Sequence, residues 1–375
     1  MKFSINKKQL ENELALVQGI VEKASTIPAI SNCLIEAVDE ETIRVTGTDL
    51  DTTIIAHVAA NVANAGEICI SAKKLYDIVK LLPQGEIFFS TEAKIYGAKI
   101  ECGKSNFRVL GISPDVFPET PKSAGVKVNL PSVVLQTFIK HTSFAITNEQ
   151  SRFTLSGAKF EIKDRTARMV TTDGHRLCYI ETTFDDFDPR FSADTLIPRK
   201  ALAELLKLAN DCAPGGEITF WEDANHLNFE TGNRRLITRK LSGTFPNYEM
   251  VIPKDTTETA TFEAAALLAA IKRVSQMADE RSQSVKLTLR TNEMTISAQS
   301  AEEGEAQENI AVEYSGEETS IKFQYSYVLD FINSVKDNAE IRISMSFRDA
   351  NAQTLFRPAS ENGSRFLTVI MPLRH

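Results

Sequence analysis

Apolar positions spaced four, three and four residues apart recur along the chain: Leu10, Leu14, Val17 and Val21, then Leu135, Ile139, Thr142 and Ile146, then Leu267, Ile271, Val274 and Ala278. That spacing lays one apolar stripe along an amphipathic helix. A second set agrees more tightly. Leu75, Ile78, Val79 and Leu82 return as Leu202, Leu205, Leu206 and Ala209 after 127 residues, and as Val328, Phe331, Ile332 and Val335 after a further 126. The pattern predicts helices over 5–21, 72–82, 131–146, 198–210, 262–278 and 324–337. They form three near-copies of one unit, each with two helices that bury one face, and six helices in register are hard to obtain without repetition.

The rest of each copy reads as strands. Glu86–Ser90, Glu217–Trp221 and Glu340–Met345 have strand character, and turn signals such as Pro83-Gln84-Gly85 and Pro214-Gly215-Gly216 introduce them. Phe117-Pro118, Phe245-Pro246 and Met371-Pro372 each end an apolar stretch, as expected of a proline that terminates a strand. Domain limits fall at 1–125, 126–253 and 254–375, with 121–125 and 253–258 as connectors.

A chain of 375 residues that is 42% apolar and 25% charged has the makeup of an ordinary globular protein with two or three cores. No apolar run reaches membrane-spanning length, and Met1-Lys2-Phe3 is read as opening into an amphipathic helix without a signal-peptide core, so a cytoplasmic protein is expected. The five cysteines lack paired metal-ligand spacing and are expected to be reduced and mostly buried.

The formal charge of −8 argues against phosphate binding until its distribution is considered. The six helix spans carry a net +5, which leaves −13 on the remainder. At 100° per residue, Lys73 and Lys80 lie about 140–160° from Leu75, and Lys200 and Lys207 stand likewise from Leu202, opposite the core stripe. Helices lining one surface would make it positive on an acidic body, as a path for a polyanion requires. The third copy has Ser326 and Asn333 at these places.

Thr172-Asp173-Gly174-His175-Arg176 sets an acid two residues from a histidine, but Asp-Gly is first a turn signal and the first copy has Gly47-Thr48-Asp49-Leu50-Asp51 at the matching place. No nucleophile or metal partner is identified, and there is no Walker-type loop, HExxH or CxxC. Neither a catalytic residue nor a cofactor is expected. The rival readings are an enzyme using Asp173 and His175, and a static DNA-binding protein without a ring.

Met1-Lys2-Phe3, Gly47-Thr48-Asp49-Leu50, Thr172-Asp173-Gly174-His175-Arg176-Leu177, Ile197-Pro198-Arg199-Lys200, Phe245-Pro246-Asn247-Tyr248 and Val369-Ile370-Met371-Pro372-Leu373-Arg374 span the chain in order. Together they resemble the bacterial DNA polymerase III beta subunit family. The resemblance implies an α+β fold of three clamp-type domains, each with two helices packed on antiparallel sheets. It also implies a head-to-tail homodimeric ring around double-stranded DNA, with helices lining the hole. It implies a processivity factor of DNA replication that tethers the replicative polymerase, the clamp loader and repair proteins through short apolar peptides.

The peptide cleft carried over from that family is Leu155, Thr172, Gly174, His175, Arg176, Leu177, Pro246, Met250, Val251, Val369, Ile370, Met371, Pro372, Leu373 and Arg374, with Arg176 and Arg374 fixing the peptide's orientation. Met250 stands where some relatives have arginine, and His375 where many end in an apolar residue. DNA proximity is implied for Arg152, Arg199 and Lys200, to which the helical reading adds Lys73, Lys80 and Lys207. Lys23, in Lys23-Ala24-Ser25, keeps a charge where some members have arginine, without its bidentate geometry. Ring closure sets Phe107 and Val109 against Gln276 and Met277, with Lys104 and Arg108 facing the acidic run of Glu302, Glu303 and Glu305. Such opposite charge favours a head-to-tail join.

Overall fold

A computed structural model describes residues 1–21, 27–92, 96–149, 151–185, 187–188, 190–336, 341–360 and 363–374; Lys23-Ala24-Ser25, Glu340 and His375 lie outside them. The described residues include six α-helices: α1 (Lys7–Ile20), α2 (Ala72–Leu81), α3 (Ser132–Thr142), α4 (Arg199–Asn210), α5 (Ala264–Val274) and α6 (Tyr325–Val335). Helices of 10 to 14 residues are marginal alone and depend on their apolar stripes. Leu10, Leu14, Val17, Leu75, Val79, Leu135, Ile139, Leu202, Leu205, Leu267, Ile271, Val328, Phe331 and Ile332 are all buried. Each such side chain contributes about 1.5–3 kcal/mol. With the observed bounds the helices carry a net +6.

The structure corrects the helix ends. The chain opens on a strand, Lys2–Asn6, whose Phe3 and Ile5 alternate into the core before the Asn6 side chain caps α1 by accepting from Lys8 N at 3.0 Å. Each of the other helices likewise follows a strand directly, as Glu67–Ser71 precedes α2 and Thr319–Gln324 precedes α6. The stripes of α3 and α5 run on past the α-helix into 3-10 turns, Ser143–Ala145 and Ser275–Met277, which the helical spacing alone does not separate.

The chain forms two compact units, residues 1–135 with 200–240 and residues 136–199 with 241–375. The first holds a 13-stranded sheet; the second holds one of eight strands and one of four. Every strand pair among the described residues is antiparallel. The strands expected after the second helices are present as Glu86–Glu92, Glu217–Glu222 and Arg342–Phe347. The proline expectation holds only for Met371-Pro372, which follows Arg365–Ile370 directly; a 3-10 turn intervenes before Phe117, and Phe245 lies well beyond Arg234–Arg239 and packs into the core. Cys33, Cys69, Cys102 and Cys178 are buried free thiols, and burial pushes Cys33 up to about 12. No helix among the described residues is long and apolar enough to cross a membrane.

One turn is built twice. Asp49 Oδ1 accepts from Asp51 N at 3.0 Å and Thr52 N at 2.6 Å, while Thr48 Oγ1 accepts from Leu50 N at 3.0 Å. Asp173 Oδ1 accepts from His175 N at 2.9 Å and Arg176 N at 3.0 Å, and Thr172 Oγ1 from Gly174 N at 3.1 Å. The central residue is left-handed in both, at φ 81° for Leu50 and 90° for Gly174. Left-handed backbone costs a leucine about 1–2 kcal/mol, and glycine returns roughly 0.5–1 kcal/mol of that as unfolded-state entropy. Leu50→Gly is therefore expected to raise stability by about 0.5–1 kcal/mol, read as a higher urea midpoint; a lower midpoint would show that Leu50 contributes packing that outweighs the strain.

Candidate functional site

The Asp173 turn and the C-terminal strand come together in the second unit. Strands Thr166–Thr172 and Arg176–Thr183 form a hairpin, and the latter pairs with Arg365–Ile370 so that Leu177 faces Val369. Past that strand, Met371 N donates to His175 O at 2.9 Å and Leu373 N to Lys322 O at 2.8 Å, which holds the tail in place. Between tail and turn lies a cavity of about 140 Å³. It is smaller than the roughly 300–1,000 Å³ of small-molecule pockets, and its size suits one or two side chains of a peptide.

Nine residues expected in the cleft line this cavity: Leu155, Thr172, Gly174, Arg176, Leu177, Pro246, Val251, Val369 and Met371. Phe245 and Tyr248 line it too; both sit in the Phe245-Pro246-Asn247-Tyr248 phrase, of which the expected cleft includes only Pro246. Val170, Tyr179, Leu196, Leu355 and Leu367 complete the apolar core behind them. Tyr248 donates to Glu161 Oε2 at 2.7 Å and Tyr179 to Glu181 Oε2 at 2.5 Å. Burial, then those carboxylates, raise both phenols well above their usual range, so both remain neutral donors.

Six expected members do not line the cavity. Ile370 points into the core, Met250 is 81% exposed, and His175 and Arg374 are exposed. Pro372 and Leu373 are half-buried along the tail. His175 lies parallel to the Tyr327 ring at 6.5 Å. Both Asp173 oxygens are occupied, Oδ1 by the turn and Oδ2 by Arg176 Nε at 3.0 Å, so the acid serves the turn rather than the histidine ring.

Arg176 lines the cavity, but its guanidinium is already engaged within the chain. Nε meets Asp173, Nη1 meets Asp330 Oδ2 at 2.7 Å, and Nη2 donates to Phe144 O at 2.6 Å. The Tyr327 ring lies 4.4 Å from the guanidinium carbon and the Phe144 ring 5.3 Å. Burial opposes the charge, yet Asp330 and Asp173 raise the group above its ordinary value. These three bonds tie the Asp173 turn to α6 and give Arg176 a positioning role, beside the part in fixing a peptide's orientation that the resemblance implies.

The basic residues are exposed, and several have partners. Lys200 pairs with Asp49 and donates to Ile20 O at 2.9 Å; Lys207 pairs with Glu204 at 2.8 Å. Arg152 pairs with Glu149 at 3.0 Å and donates to Asp173 O at 2.8 Å; Arg199 donates to Asn148 Oδ1. Lys73 and Lys80 have no carboxylate partner among the described residues, and Lys80 lies 5.7 Å from the Tyr76 ring centre.

Of the residues expected at ring closure, Phe107 is exposed and Val109 is buried; the large exposed apolar neighbour is Leu110, at 72%. Lys104, Gln276, Glu302, Glu303 and Glu305 are exposed, and Met277 is half-buried. Arg108 pairs with Glu92 at 2.6 Å.

Three near-copies of a two-helix unit with antiparallel sheets, and a small apolar cavity beside a turn whose acid is already committed, define a clamp-type protein. Residues 1–121, 129–247 and 249–374 match the N-terminal, central and C-terminal domains of the DNA polymerase III beta subunit. The chain belongs to that family, whose members are non-catalytic processivity factors. It is 32% identical to the beta sliding clamp of Pseudomonas putida, with all of both chains covered, and 32% identical to that of Chlamydia pneumoniae, with 100% and 99% covered. A crystal structure of the Pseudomonas aeruginosa sliding clamp bound to griselimycin superposes with a TM-score of 0.93 at 29% identity over the whole of both chains.

Proposed function

We propose that the chain works as a DNA sliding clamp: a head-to-tail homodimeric ring that encircles duplex DNA in the cytoplasm and tethers the polymerase, the clamp loader and repair proteins by peptides seated in the apolar cleft. Its domains run over 1–125, 126–253 and 254–375. The observation that carries this reading is the charge split, a net +6 on six helices in a chain of −8. An acidic protein holds a polyanion poorly by attraction, whereas a closed ring retains it by topology.

The partnered cations support sliding. Phosphates drawn to Lys200, Lys207 or Arg152 compete with Asp49, Glu204 or Glu149, so each contact is weak and sequence-independent. Two open strand edges support ring closure. Among the described residues Ser105–Ile112 pairs with Glu67–Ser71 only through Ile112 and Gly111, and Gly304–Ala311 is the outer strand of the four-stranded sheet. An edge from each of two copies can pair, with Lys104 on one side and Glu302, Glu303 and Glu305 on the other.

Protein loaded by its clamp loader onto nicked circular DNA is expected to stay bound through washing and to leave promptly once the circle is cut to a linear form with free ends. Equal retention on both forms would overturn the ring. A hydrolase or transferase activity that purified protein loses on Asp173→Asn would favour the enzyme reading instead.

A further inference from the structure

The tail that walls the cleft has a second neighbour. Leu373 N donates to Lys322 O, and Lys322 belongs to Thr319–Gln324, an edge strand of the four-stranded sheet. Lys322 stands directly opposite Lys286 on Ser284–Arg290, and Lys286 opposite Ser297. Alternation sends Val285, Leu287, Ile321 and Phe323 into the core and leaves this face polar. It is a concave surface of about 630 Å³, lined by Ser284, Lys286, Ser297, Gln299, Glu305 and Lys322 among others.

Two lysines directly opposite each other on neighbouring strands repel. Neither has a carboxylate partner within ion-pair distance among the described residues, and exposed Arg374 follows Leu373 on the tail beside them. Among the described residues Glu305 is the one carboxylate lining the face, on the outer strand and two strands removed from Lys286. This part of an acidic protein therefore presents uncompensated positive charge, and it is continuous with the cleft through Met371, Pro372 and Leu373. Two tail residues rise about 7 Å, and one strand spacing adds about 4.8 Å, so roughly four extended residues reach from the cavity to Lys286.

We propose that the Lys286–Lys322 face is a second contact for cleft-bound partners and takes an acidic stretch of the peptide next to its apolar anchor. The inference rests on the cleft reading and deepens it: the anchor supplies apolar burial, and the acidic stretch supplies charge-assisted pairs with two ammonium groups and the Arg374 guanidinium.

The test uses fluorescence anisotropy with the full chain and three peptides that share one apolar anchor. One carries a neutral Gly/Ser extension, one carries four acidic residues after the anchor, and one carries them before it. One of the acidic peptides is expected to bind about five- to tenfold tighter than the neutral peptide at low salt. That gain is expected to disappear in Lys286→Ser/Lys322→Ser, to survive in Lys286→Arg/Lys322→Arg, and to shrink in high salt. Equal affinity for all three peptides, or a gain that survives the double serine change, overturns this proposal alone. Failure of all three to bind overturns the cleft reading and this one with it. Loss of dimer mass in the double serine variant, with the peptide series unchanged, assigns the face to a contact between copies and overturns the proposal as well.

Discussion

Truncation before Met371 is expected to weaken binding of a polymerase-derived anchor peptide by well over tenfold while leaving the dimer intact. Met371 lines the cavity, and the tail is fixed by the bonds from Met371 N to His175 O and from Leu373 N to Lys322 O, so removing residues 371–375 opens one wall. Val369 and Ile370 stay paired with Leu177 and Arg176 in the preceding strand, which keeps the rest of the site folded. Residues that anchor such small clefts often contribute about 2 kcal/mol or more each, and about 1.4 kcal/mol is tenfold. Calorimetry with the peptide and sedimentation of the same truncated sample give the two readouts. A dissociated dimer that still bound peptide normally would mean the cleft and the closure surface had been assigned the wrong way round, and no change in either would remove the tail from the partner site.

Periodicity made the helices legible because a stripe such as Leu75, Ile78, Val79 and Leu82 must recur wherever the same packing recurs. Repetition then gave three copies. The opening strand escaped because Phe3 and Ile5 alternate over too few residues to separate from the helical stripe that begins at Leu10. Ile146 reads as helix because the 3-10 turn Ser143–Ala145 before it leaves its side chain buried, although Ile146 itself is already extended.

The site was legible where a phrase fixes a backbone shape and opaque where it depends on which way a side chain points. Thr172-Asp173-Gly174 declares a turn, and the first copy supplies the same turn with Leu50 in place of glycine. Strand alternation hides the rest: Ile370 turns away from the cavity while Val369 and Met371 line it, and Val109 is buried while Leu110 is exposed. Asp330 gave no signal at all, since it is one acid on the outer part of a helix and only the fold brings it 2.7 Å from Arg176.

Arg176→Ala is expected to cost about 2–4 kcal/mol and to lower the unfolding midpoint of the second unit by roughly 5–10 °C. The side chain is 8% exposed and makes three charge-assisted bonds, to Asp173, Asp330 and Phe144 O, beneath the Tyr327 ring. Its loss strands two carboxylates; Asp330 is 40% exposed, so water compensates it in part and keeps the cost below that of a fully buried pair. Lysine keeps the charge but cannot reach three acceptors with a planar fork, so Arg176→Lys is expected to recover less than half of the loss. Peptide affinity is expected to fall with stability in both variants, because the Asp173–Gly174 turn that edges the cavity loses its tie to α6. An Arg176→Ala protein that unfolds at the wild-type temperature yet loses peptide binding would return the guanidinium to the peptide as a direct ligand, and the positioning role argued from its bonds would be wrong.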